Sequence, residues 1–358
     1  MTRPDKKASP PQCLRKSSRN ASPLRRESGF TLVELMIAVT IGLLLVAGIT
    51  TLIVQQSATR NEMEKSSRQI ENGRYAAQLL RDDIQLAGYI GEFFKPTTIP
   101  GALPDPCELD PADLETAFTF HIQGYDAPDP VPAPLSACLP DANHVPGTDI
   151  LVVRHTDTAS IPVASAVANQ IYLQTGLDPV TSILTYKLAT GTDTSVFNLK
   201  NLNGTVARLR KFLVHIYFVS PCNAMSGATC TSSDDNGNPV PTLKRLELGL
   251  VGTVAGFNLL PLVEGIENLQ LDYGIDSSGD GAPDEYKTTP TALADWADVM
   301  TVRVNLLARN NETSARYQDT KTYKLGLAAE TTATNDGYKR HVFSQVVRAV
   351  NPSGRREE

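Results

Sequence analysis

The sequence predicts an α+β protein, one long N-terminal helix followed by an antiparallel, β-rich body. Three observations carry this. The 25-residue run from Phe30 to Val54 is apolar apart from one charge, Glu34. No proline interrupts residues 30–95, so a helical pattern can continue beyond that run. After residue 150, short β-branched and aromatic runs alternate with Gly, Asn, Asp and Pro.

Composition narrows the class. The chain has 358 residues, of which 41 % are hydrophobic and 20 % charged, which excludes disorder, collagen and a coiled-coil rod. A net charge of −6 argues against a nucleic-acid binder. The charge is unevenly placed. Residues 1–29 hold eight basic and two acidic side chains, a net of +6, so the rest of the chain carries −12. A basic start joined to an acidic body points to two compartments.

The segment between them is long enough to cross a bilayer, for which about 20 apolar residues suffice. Basic residues before it place the N-terminus in the cytoplasm and the body outside. A secretory signal would have a shorter apolar region, of about 7–15 residues, with its small-residue cleavage site after it. Here the small residues, Ser28 and Gly29, come first. Glu34 is unusual for a plain anchor, because an ionisable group at a membrane is costly and normally has a specific partner.

The run Gly29-Phe30-Thr31-Leu32-Val33-Glu34-Leu35-Met36-Ile37-Ala38 resembles the type IV pilin signature. The resemblance implies a leader, residues 1–29, that a prepilin peptidase removes between Gly29 and Phe30, with methylation of the new Phe30 amine. It also implies that Glu34 neutralises the amine of a neighbouring subunit during assembly. Opposite charges brought together out of water attract strongly, and an unpaired one is expensive. The leader departs from the family pattern in its length, and Glu27-Ser28 separate Arg25-Arg26 from Gly29.

The helix is expected over residues 30–88, about 85 Å at 1.5 Å per residue. Residues 30–54 form its membrane or filament-core part and residues 55–92 an amphipathic continuation. Met63, Ile70, Ala77 and Ile84 recur every seven residues, with Gly73, Leu80 and Ala87 at the offset positions. That spacing predicts one stripe packed on a sheet. Gly88 is the expected stop, because glycine accepts the left-handed cap conformation.

Residues 93–149 are rich in proline and read as a long irregular surface region with one short strand at 117–122. Residues 150–358 read as the β-rich exported domain. Strands are expected at 150–154, 171–173, 183–188, 212–219, 243–251, 266–273, 299–307, 322–327 and 341–350.

Residues 262–276, 298–307 and 340–344 resemble the C-terminal part of PilW-type minor pilins, whereas residues 95–240 resemble nothing recognisable. This implies a type IV pilin-like fold and a minor pilin that primes pilus assembly at or near the tip and supports adhesion and twitching motility. The implied partners are other minor pilins, the major pilin, the prepilin peptidase, the inner-membrane assembly platform and a tip adhesin. The implied location is the inner membrane, single-pass, and then the pilus. Two other readings stay open, a minor pseudopilin of a type II secretion system and a tip-located surface-binding module. DNA affinity is not expected, since Lys200, Arg208, Arg210 and Lys211 form the one dense basic stretch.

Five cysteines are present, and removing the leader takes Cys13. The remaining four, in an oxidising compartment, imply two disulfides. Of three connectivities, Cys107–Cys138 with Cys222–Cys230 is the nearest-neighbour choice. Asp276, Ser278, Asp280 and Asp284 occupy positions 1, 3, 5 and 9 of an EF-hand-like loop with Gly281 at position 6. Lys287 stands where the bidentate Glu belongs, with Glu285 as its substitute, so a weak Ca²⁺ site and a plain polar turn both remain open. No GxSxG, HExxH, P-loop or Rossmann motif occurs and the five histidines are scattered, so enzymatic activity is not expected.

Overall fold

Residues 29–91 and 99–357 are described by the computed structural model, so the basic leader before Gly29, with Cys13, and the stretch containing Pro96 lie outside the described residues. The chain divides into two units, residues 1–59 and 60–358.

Helix α1 spans Leu32–Leu86. Its first turn is held by a reciprocal cap: Thr31 Oγ1 accepts from the Glu34 amide at 3.2 Å, and Glu34 Oε2 accepts from the Thr31 amide at 3.0 Å. Its end is marked by Gly88, with φ +69°. The last carbonyls, which a helix cannot satisfy itself, are met from far along the chain. Asn351 Nδ2 donates to the carbonyls of Gln85, Leu86 and Ala87, each at 3.3 Å, and the Arg355 guanidinium donates to that of Gly88.

The packed face of the second half keeps Gly73, Leu80, Ile84 and Ala87 of the expected stripe and departs from it elsewhere. Met63 and Ile70 are exposed, while Gln69, Gly73, Ala76, Leu80, Asp83, Ile84 and Ala87 are buried. The seam is therefore the offset set, rotated so that two polar residues lie in it. Gln69 is satisfied there by the carbonyls of Ala308 and Lys339, at 2.7 and 2.8 Å.

Eleven strands make two sheets among the described residues. They are β1 (Ile122–Tyr125), β2 (Ile150–Thr156), β3 (Ile171–Leu177), β4 (Leu184–Thr190), β5 (Leu209–Ser220), β6 (Thr242–Val251), β7 (Val254–Glu264), β8 (Ile266–Ile275), β9 (Glu285–Lys287), β10 (Val299–Arg309) and β11 (Arg340–Arg348). The seven-stranded sheet runs β1-β2-β5-β3-β4, with β6 also pairing β5 and β7 at its edge; the four-stranded sheet runs β11-β10-β8-β9. All the ladders are antiparallel. One apolar core joins Ala76, Leu80 and Ile84 of α1 to both sheets through Leu151, Tyr217, Leu269 and Val302; a second, with Leu114, Leu135, Val152 and Phe212, fills the far side of the larger sheet.

Four expectations are corrected. The strand placed at 117–122 is a 3₁₀ turn at Ala117–Thr119, and the strand follows it as β1. The proline-rich region is not a surface loop, because Leu114, Phe120, Ile122, Leu135 and Leu139 from it are fully buried. The run 322–327 is no strand, since its backbone bonds close on its own loop: the Tyr323 amide donates to Thr331 Oγ1 and the Thr331 amide to the Tyr323 carbonyl. Strand β7 falls where no strand was expected, and it contains Pro261. It is an edge strand, and Pro261 sits beside a register shift opposite Leu243 and Lys244, where a missing donor is tolerated.

Candidate functional site

The N-terminal site is linear. Gly29 and Phe30 precede α1, and Phe30 is 87 % exposed. The Glu34 carboxylate also accepts from Thr31 Oγ1, at 2.9 Å, so it is held at the helix start, beside the position of a Phe30 amine. From Leu32 to Val54 the large apolar side chains are exposed, and none of the most apolar 18-residue window is buried. This helix is long and apolar enough to cross a membrane. A stretch of this size with no cover of its own needs lipid or other helices around it.

The four cysteines outside the leader form two bridges, Cys107–Cys138 and Cys222–Cys230, with Cα separations of 5.7 and 5.8 Å. The first fastens the proline-rich segment over the second core. The second closes a short loop after β5, in which Asp234 accepts from the amides of Ser226 and Thr231. Bridges of this kind contribute about 2–4 kcal/mol each.

In the Asp276–Asp284 loop the carboxylates face backbone amides. Asp276 accepts from the amides of Gly279, Asp280 and Gly281 and from the Arg356 guanidinium at 3.0 Å. Asp284 accepts from Ser277 and Ser278, and Asp280 from Ala282. Ser278 Oγ donates to Asp276. Arg356 thus supplies a positive charge at the first residue of the loop, and Glu285 pairs with Lys287.

A second polar site was missed from the sequence. Asp83 of α1, His155 of β2 and His215 of β5 are all buried, and one ligand atom from each falls within 4.8 Å of the others. His155 Nε2 and His215 Nδ1 both lie 2.9 Å from Asp83 Oδ1. Burial opposes the charge on Asp83, but the hydrogen bonds from the two imidazoles outweigh it and hold its carboxyl well below the usual range. Burial likewise opposes a charge on His155, and the Asp83 hydrogen bond and charge more than offset it, so His155 is raised. The signal available in the sequence was the single acid inside the buried helical face, which an apolar stripe search passes over.

A third cluster holds the loop between β10 and β11. The Arg340 side chain, 1 % exposed, donates to Glu267, Asp319 and Asp336. The Arg340 hydrogen bond chiefly brings Asp336 down to about 2.

Comparison with known proteins gives two matches. Residues 227–351 match the family described as Type IV Pilus-assembly protein W, and residues 24–50 match the Prokaryotic N-terminal methylation motif. No curated protein matches the chain, and no solved structure does.

Proposed function

The two matched segments support a PilW-type pilin, and on that premise we propose that the chain is a minor pilin that primes assembly of a type IV pilus and sits at or near its tip. Pilins are structural proteins, so the role is assembly with other pilus components after action by a prepilin peptidase.

The observation that carries the reading is the uncovered apolar part of α1, opened by Gly29-Phe30 and holding one acid in its first turn. In the proposed sequence of events the N-terminus stays cytoplasmic and the body lies outside. Cleavage after Gly29 frees the Phe30 amine, which is methylated. Lipid covers residues 30–54 until neighbouring pilin helices replace it. Glu34 then meets a neighbour's Phe30 amine, which favours docking in register, because an unmatched charge in that setting is costly.

Glu34→Ala tests this. The variant should be processed and membrane-held but absent from sheared pili, and a strain lacking the chain should lose surface pili and twitching. Normal pili in that strain, together with loss of a secreted protein, would favour a pseudopilin of a type II secretion system.

A further inference from the structure

We propose that Asp83, His155 and His215 form a binding site for a divalent first-row transition ion, with Zn²⁺ the best match, which fastens α1 to β2 and β5. The case rests on what surrounds each imidazole. His155 Nδ1 lies 2.9 Å from the Thr156 carbonyl oxygen, which can only accept, so that nitrogen carries a proton. His155 Nε2 is then the lone-pair nitrogen of the neutral ring, and it faces Asp83 Oδ1. His215 Nδ1 lies 2.9 Å from both oxygens of the same carboxylate. Its other nitrogen is buried without a hydrogen-bond partner, and the nearest acid, Glu247 Oε2, is 3.7 Å away.

With its proton on Nδ1, His215 donates to Asp83; with the proton on Nε2, on the side of Glu247, Nδ1 offers a second lone pair instead. In that second state two imidazole nitrogens and a carboxylate converge on one buried point, which a cation fills in place of the protons. Either His155 takes a second proton or a metal ion sits between the three atoms. Two imidazole nitrogens and one carboxylate oxygen suit Zn²⁺.

His155 has the outer partner seen around metal ligands, its remote N–H met by the Thr156 carbonyl, and Glu247 is the nearest acid to the remote nitrogen of His215. Beside the cluster, Tyr217 and Glu247 are both held by Arg245. The size is also close. Bonds of about 2.0–2.1 Å at a tetrahedral ion separate ligand atoms by about 3.3 Å, so the 2.9 Å contacts need open only by about 0.4 Å. The cluster stands apart from the pilus reading.

The test uses the full chain in detergent, with Cys13→Ser to remove the leader thiol, after chelator treatment at pH 8, since metal binding releases protons and is favoured by alkaline pH. Co²⁺ should give a visible absorption spectrum at one equivalent. Zn²⁺ should displace it and raise the melting temperature by about 5 °C at a concentration about 100-fold over its Kd. His215→Asn should abolish both effects, and His341→Asn, at an exposed strand position, should change neither. If His215→Asn does not fold, Glu247→Gln keeps all three ligands and should weaken binding about tenfold. A folded chain with no Co²⁺ spectrum and no Zn²⁺-dependent shift would overturn the proposal and leave a proton-held ion pair. So would a shift that His341→Asn removes.

Discussion

Gly73 packs against Phe343 of the smaller sheet, and replacing it with alanine sets two effects of opposite sign against each other. Alanine in a helix interior is favoured over glycine by about 1 kcal/mol. Against this, a Cβ at residue 73 would lie 2.0, 2.4 and 2.5 Å from three ring carbons of Phe343 on β11. Carbon atoms pack at about 3.5–4.0 Å, so the ring must retreat by about 1.5 Å from the nearest contact. Overpacking of this kind costs about 1–3 kcal/mol. Phe343 is only half-buried, with the His341 ring edge-on at 4.8 Å, so it escapes toward solvent and the cost falls in the middle of that range. The net expectation for Gly73→Ala is a loss of about 1 kcal/mol, or a melting temperature lower by about 2–4 °C. Thermal unfolding of the detergent-solubilised chain followed by circular dichroism measures it. The Phe343→Ala background makes the assay decisive. With the ring gone the clash is gone, and Gly73→Ala should now stabilise by about 0.5–1 kcal/mol. A gain in the wild-type background, or the same loss in both, would refute the reasoning.

Arg340→Met leaves Glu267, Asp319 and Asp336 facing one another without their cation, and should cost about 3–5 kcal/mol at neutral pH. Asp336 is held below its ordinary 3.8, so its contribution is present above that value and is lost as pH falls toward about 2; the gap between wild type and variant should narrow over that window in acid-unfolding curves. Thiol titration of the denatured, unreduced precursor should find one reactive cysteine, Cys13, and none after cleavage; more than that would contradict the two bridges. Gly29→Val should leave the precursor uncut, and mass spectrometry of the wild type should show N-methyl-Phe30 as the mature terminus. Millimolar Ca²⁺ should leave the melting temperature unchanged, because Arg356 already serves Asp276, whereas a rise that Asp280→Ala abolishes would establish a calcium loop.

The parts of this protein legible in its sequence are those set by local rules. The apolar run, the motif at Gly29–Glu34, the stop at Gly88 and most strands follow from periodicity and turn residues. The helix seam was legible at Gly73, Leu80, Ile84 and Ala87 but not at Gln69 and Asp83, whose burial depends on carbonyls and histidines more than 70 residues away. Strand β7 was not among the expected strands; it contains Pro261, which is acceptable because the strand lies at an edge, a fact of topology. The run 322–327 has strand-like residues but no ladder to join, and Tyr323 instead reaches Asp319 beside buried Arg340. The Asp83–His155–His215 site combines three distant segments, so nothing in the spacing of its residues announces it.

The end of α1 has a consequence for the order in which the chain is completed. Its terminal carbonyls are met by Asn351 and Arg355, more than 260 residues downstream. On the proposed topology, with the N-terminus held in the cytoplasm, residues 85–88 would emerge before residues 351–355, and their carbonyls would stay hydrated until that segment followed. The helix end would then close only after residue 355 had emerged. A translocation intermediate stalled before residue 351 keeps a frayed last turn, open to proteolysis near Leu86. Once residues 351–355 dock, those carbonyls are met, so a copy truncated before residue 351 would keep a protease-sensitive turn that an untruncated one lacks.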